Sequence, residues 1–183
     1  MYKLCMAALL ALPMITYAQS VSRSLAPAGS FTESMVYVFN DAQYGHNRSL
    51  FGWSAVPAVN LTPRLAMEGD VASLYVRSIY PGQSRLVLAA GPRFNFAPRY
   101  KVMPFVFAEG GEMRVTTQYS PVKDWNPVAK GGFGFVYHLS RGVAMTLVPG
   151  EYLGQYLDNG AWNHSYTSRV GITWNLYKRG SGM

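Results

Sequence analysis

The chain has 183 residues, a formal net charge of +7, 49% hydrophobic residues and 14% charged residues. That length fits one domain, and a single cysteine, Cys5, excludes a disulfide-stapled scaffold. The basic residues are scattered singly rather than in a Lys/Arg-rich run, which argues against nucleic acid as a partner.

Residues 1–18 read as a secretory signal. Lys3 supplies the positive start, Leu4 to Ile15 the apolar run broken only by Pro13, and Thr16-Tyr17-Ala18 the small-x-small cleavage site. The run is too short for a spanning helix, which needs ~20 residues. Cys5 lies inside it, not at the cleavage point, so a lipoprotein is not expected. Residues 19–32 are small and polar and read as a flexible lead-in.

Residues 33–177 hold eight stretches that read as membrane-crossing strands, a barrel strand taking ~9–11 residues. They are Glu33 to Asn40, Phe51 to Leu61, Arg64 to Tyr75, Arg85 to Phe96, Val102 to Arg114, Trp125 to Leu139, Gly142 to Tyr152 and Ser165 to Tyr177. The gaps after the second, fourth and sixth are short. Those after the first, third, fifth and seventh are about ten residues each, an alternation expected of an outer-membrane barrel with tight periplasmic turns and longer outer loops. Residues 178–183 form a C-terminal tail.

Period-two patterning separates two faces. In the fourth stretch Leu86, Leu88, Ala90, Pro92, Phe94 and Phe96 oppose Arg85, Val87, Ala89, Gly91, Arg93 and Asn95. In the eighth, Val170, Ile172, Trp174 and Leu176 oppose Arg169, Gly171, Thr173 and Asn175. The second and sixth behave alike, whereas the first and fifth show poor phase and the seventh breaks at Pro149-Gly150, a predicted bulge. A soluble lipid-carrying barrel would turn the apolar face inward, and a membrane barrel outward. The Gly- and Ala-rich polar face suits a narrow lumen, and aromatics near strand ends (Tyr75, Phe94, Phe96, Tyr137, Tyr152, Trp174, Tyr177) suit headgroup girdles, so the membrane case is favoured. The expected fold is all-β, an eight-stranded antiparallel up-and-down transmembrane β-barrel.

The stretch Arg169-Val170-Gly171-Ile172-Thr173-Trp174-Asn175-Leu176 resembles the terminal-strand signal of outer-membrane barrels. Leu88 to Phe94, Pro104 to Gly111 and Gly131 to Phe135 resemble OmpA-like and opacity-type barrel domains. This resemblance implies the cell outer membrane as the location, the barrel assembly machinery as a partner, and Gly171, Trp174 and Leu176 as the assembly signal. Here Lys178 to Met183 follow, whereas many family members end on the aromatic residue. No peptidoglycan-binding domain is seen after the barrel.

Four constellations could carry function. The charges assigned to the polar face, Glu68, Asp70, Arg85, Arg93, Lys130 and Arg169 with Glu109 beside them, would fill a lumen just wide enough for side chains. Such charges must be paired, because an isolated buried ion is costly. A packed polar network is the expectation, and a gated ion path is the alternative. His138-x-Ser140 followed by Glu151 has the ingredients of a nucleophilic triad and is similar to the spacing of lipid A deacylase barrels. Its place at a short turn speaks against that chemistry. His46 and His164, with Asp41 and Asp158, lack the tight spacing of a metal site. Tyr44, Arg48, Arg77, Tyr80, Tyr119, Lys123, Trp125, Tyr156 and Trp162 fall on or beside the long loops, where aromatic and basic side chains suit binding or contact with lipopolysaccharide phosphates.

The expected role is structural or surface-binding, without enzyme activity, cofactor or metal. The lumen is plugged, the loops are the interaction surface, lipid and lipopolysaccharide are the surroundings, and the state is monomeric. A small-solute porin is the main alternative, opposed by the strand number, since wide channels need ~16 strands. An outer-membrane lipid-modifying enzyme ranks below it.

Overall fold

The computed structural model describes residues 27–41, 48–75, 83–117, 125–157 and 160–177. Every regular element among them is a strand: β1 (Gly29–Asp41), β2 (Arg48–Asn60), β3 (Leu65–Tyr75), β4 (Gln83–Asn95), β5 (Val102–Thr117), β6 (Trp125–His138), β7 (Val143–Tyr156) and β8 (Trp162–Leu176). They pair antiparallel in chain order and β8 closes onto β1, giving a barrel. Closure leaves no edge strand, which is what allows a sheet to stand in hydrocarbon. The expected signal and C-terminal tail lie outside the described residues.

Stepping across the register from Val38 through Thr167, Glu151, Gly132, Phe107, Arg93, Ala66 and Asn60 returns the path to Ala28, ten residues back along β1. In an eight-stranded barrel that stagger tilts the strands by about 40° and leaves an interior filled by side chains.

The alternation read in the second, fourth, sixth and eighth stretches is present: Arg85, Val87, Ala89, Arg93 and Asn95 are buried, and Leu88, Ala90, Pro92 and Phe94 are exposed. The exposed face carries two aromatic levels. Phe31–Trp174, Phe94–Phe96 and Tyr137 stand at the end of the barrel that carries the short turns. Tyr37–Phe39, Trp53, Tyr152–Tyr166 and Tyr156–Trp162 stand toward the other. Mostly aliphatic and small residues lie between, with Phe133 and Glu33 among them, as a largely apolar bilayer-facing band.

Three expectations about boundaries change. β1 begins at Gly29, not Glu33, because Phe31 and Thr32 pair in register with Trp174 and Thr173 and complete the closing seam. β7 and β8 extend to Tyr156 and from Trp162, so the last outer connection is residues 157–161. The other outer connections are 42–47, 76–82 and 118–124, shorter than the expected ten or so, because polar residues at those ends still pair across the ladder. The turns at 61–64 and 139–142 close with backbone bonds such as Leu61 N to Leu65 O and Leu139 N to Val143 O.

β1 and β5 show why their phase was hard to read. Val36, Val38, Met103, Phe105, Phe107 and Met113 are apolar and face inward, while Glu33 and Glu112 face outward. The lumen is therefore not uniformly polar.

Candidate functional site

The lumen is filled in layers. At mid-height Lys130 of β6 meets Asp70 of β3, Glu109 of β5 at 3.2 Å and Glu151 of β7 at 3.2 Å. Arg169 of β8 donates from Nη1 to Asp70 Oδ2 at 2.8 Å, and its Nε lies 2.8 Å from Glu151 Oε2. Arg93 of β4 lies 3.5 Å from Glu68 of β3 and donates from Nε to Asn95 Oδ1 at 2.9 Å. Five strands, β3, β5, β6, β7 and β8, thus meet in one set of charges, as neighbouring inward positions of a narrow barrel must.

Two apolar layers enclose this ionic one. Above it, toward the longer connections, Val36, Val38, Leu50, Leu74, Val87, Met113, Val128 and Leu153 form one cluster. Below it, toward the short turns, Met103, Phe105, Phe107, Val136, Ala144 and Val148 form another. The aromatic layer is coupled to the cations above it: the Arg93 guanidinium stands 4.0 Å from the Phe105 ring centre, and that of Arg169 5.2 Å from Phe107. Thr173 bridges Thr32 at 2.8 Å and Thr146 at 2.5 Å, tying β1, β8 and β7 together below the ions.

A small void lies where the ionic layer meets the aliphatic one, lined by Val36, Asp70, Leu74, Lys130, Thr167 and Arg169 among others. Its volume of about 10 Å³ is room for a single water. Asp70 Oδ1 and Thr167 Oγ1, both buried without a partner in the protein, belong to residues lining it.

Glu68, Asp70, Arg93, Glu109, Lys130 and Arg169 stand together in this layer. Arg85 is buried and inward too, but it sits higher, in register with Leu74 and Val115 beyond the ions. Glu151 is a member the polar-face assignment left out. The bulge at Pro149–Gly150 shifts the register between Val148 and Glu151, so both point inward although their positions differ by an odd number. The broken phase at Pro149-Gly150 was the available signal.

The catalytic ingredients do not converge. His138 pairs with Ala144 and Glu151 with Gly132, so much of a strand separates them, and Ser140 Oγ accepts the Val143 N–H within its turn at 3.1 Å. His164 Nδ1 lies 2.6 Å from the Tyr152 hydroxyl on the outer surface. His46 and Asp158 lie outside the described residues, and among those described no cluster of metal-ligating side chains is found. Trp125, Tyr156 and Trp162 belong to strand ends, half-exposed on the lipid-facing side, rather than to loops. Arg48 opens β2, and Tyr44, Arg77, Tyr80, Tyr119 and Lys123 lie outside the described residues.

Of the expected assembly signal, Trp174 and Leu176 are exposed on the lipid-facing side of the closing strand. Gly171 lies opposite Ser34, where a Cβ would run into the Glu33 carbonyl and the Ser34 hydroxyl. Only glycine lets β8 approach β1 that closely.

No protein-family model matches the chain, and no curated protein matches its sequence. Solved structures do match in shape. The Neisserial surface protein A superposes with a TM-score of 0.67 at 11% identity, over 84% of this chain and 100% of that one. The chain has the fold of an outer-membrane β-barrel. Ail, the attachment invasion locus protein of Yersinia pestis, matches at 0.54 and 12% identity, over 83% of this barrel and 100% of Ail. OprG from Pseudomonas aeruginosa matches at 0.53 and 9% identity, over 82% and 97%.

Proposed function

We propose that the protein is an integral outer-membrane barrel with a closed lumen, serving as a rigid support that presents its outer connections to ligands or partners, and not as a pore or an enzyme. The observation that carries this reading is the filling of the lumen. An ionic layer spans the interior, apolar clusters lie on both sides of it, and the void between has room for no more than a single water. An ion crossing would have to separate Lys130 and Arg169 from their carboxylates and then pass a hydrophobic constriction.

The expected surroundings follow from the outer face. Aromatic girdles seat the barrel between headgroups, and basic residues near the outer rim, Arg114 among them, suit lipopolysaccharide phosphates. Trp174 and Leu176 on the closing strand suit recognition by the barrel assembly machinery. The name of Ail, an attachment invasion locus protein, favours surface contact as a role for this fold.

Conductance of the full chain in planar bilayers tests the reading. Folded protein should leave the bilayer at its baseline, and Lys130→Ala should not open discrete steps while both apolar layers remain. Discrete channel steps from the wild-type barrel would overturn the closed lumen in favour of a small-solute pore.

A further inference from the structure

Among the described strand residues, the charged side chains on the lipid-facing side are Glu33 on β1 and Glu112 and Arg114 on β5. Arg114 shares a rung with Trp125, at the outer aromatic level, and Glu112 is the next outward position. Glu33 is different. Below it Phe31 packs on Trp174 with ring centres 6.1 Å apart, and above it come Met35 and the Tyr37–Phe39 pair. It is therefore a carboxyl within the apolar band. Its side chain makes no hydrogen bond or ion pair among the described residues. A charged group on a barrel's lipid face is destabilising, and ionisable residues inside a membrane are kept where something meets them.

The walls beside Glu33 are unequal. On β2 its register partner is Ala55, followed by Pro57. Beyond lies Gly69, where an added Cβ would meet only ordinary contacts, the Ala89 carbonyl oxygen at 3.8 Å and Pro57 Cγ at 4.0 Å. That side is low in relief from Ala55 toward the short turns, with Trp53 standing above it beside Met35. On β8 its partner is Ile172, with Val170 next, both half-exposed and projecting.

We propose that the β8–β1–β2 wall is the contact face of a dimer within the bilayer, with a second copy of this chain as its occupant and the two Glu33 carboxyls hydrogen-bonded to each other at the twofold axis. Two barrels inserted the same way lie at the same depth, so their twofold axis runs along the membrane normal and a residue at the axis meets its own copy. A carboxyl pair holding a proton is self-complementary, one O–H donating and the facing oxygen accepting, whereas two ammonium groups are not. The same rotation sets β2 of one copy against β8 of the other. Ile172 and Val170 then project into the low ground of Ala55, Pro57 and Gly69. The titratable side chains sharing this wall, Tyr37, His164 and Tyr166, all stand toward the extracellular end and do not face Glu33. This departs from the monomer expected from sequence, where the poor phase of the first strand hid the direction of Glu33.

Cysteine cross-linking of the full chain in a Cys5→Ser background, refolded into phosphatidylcholine vesicles at high lipid-to-protein ratio, tests the proposal. Met35→Cys places a thiol one outward position above Glu33, and Val106→Cys places one on β5 at the opposite wall. Oxidation should link Met35→Cys several-fold more than Val106→Cys. Adding Glu33→Leu, which suits the lipid face and should fold, should reduce the Met35→Cys dimer to the Val106→Cys level. Adding Glu33→Gln, whose amide still donates and accepts, should preserve it. Equal linking at both positions, or linking at Met35→Cys unaffected by Glu33→Leu, would overturn the proposal.

Discussion

The middle of the lumen and its upper half, toward the longer connections, are both filled with buried side chains, but of opposite kinds. In the middle, Lys130 and Arg169 hold Asp70 and Glu151. In the upper half, Leu50, Leu74 and Met113 are fully buried against valines. The two layers respond differently to damage. An apolar layer loses contact energy in proportion to the cavity made and can partly relax. An ionic layer fails all at once, since removing one partner leaves the others as buried, uncompensated charges. The ionic layer therefore contributes specificity of register and strand order at the risk of brittleness, and the aliphatic layer contributes burial of apolar surface.

Four changes sharpen or break that contrast, from the largest expected effect to the smallest. Deleting Gly150 should be the most severe. Removing the bulge turns either Glu151 toward lipid or Val148 and its neighbours out of the core, because a one-residue slip exchanges the faces of a strand. The heat-shifted, SDS-resistant band that marks a folded barrel should be lost on unboiled gels. Lys130→Met should fold but lose roughly 3–5 kcal/mol, as expected when a buried ion cluster loses its central cation. Urea unfolding of vesicle-embedded protein measures this, and wild-type stability in that variant would show that the cluster is not coupled. Leu74→Ala should lose about 2–4 kcal/mol by the same assay, a cavity effect that Leu74→Met largely avoids. Thr173→Val should cost about 1 kcal/mol, since it removes two hydroxyl contacts while keeping the shape.

The strand number, the closing order and the direction of most side chains were legible in the sequence, for a physical reason. Period-two alternation is unambiguous wherever one face is polar, as in Arg85 to Asn95 and Arg169 to Leu176. It failed in β1 and β5, where the inward face itself is apolar at Val36, Val38, Phe105 and Phe107 and the outward face carries Glu33 and Glu112. Periodicity marks two faces but cannot see that a lumen is stratified along its axis. Six members of the ionic layer were legible as charges on a polar face. Glu151 was not, because the bulge at Pro149–Gly150 changes the parity of every residue after it. Arg85 was placed on the correct face but not at the correct height, since height depends on strand tilt and on the ten-residue stagger that only the closed ring reveals.

The most direct test of the layered, closed lumen is a double-mutant cycle on Lys130 and Asp70, with Lys130→Met, Asp70→Asn and both together unfolded by urea from the same vesicles. If the ionic layer behaves as one unit, the double variant will be clearly more stable than the sum of the two single losses allows, by about 1–3 kcal/mol. Additive losses would mean that the two side chains act independently, and the lumen could not then be described as a single ion-paired plug held between two apolar layers.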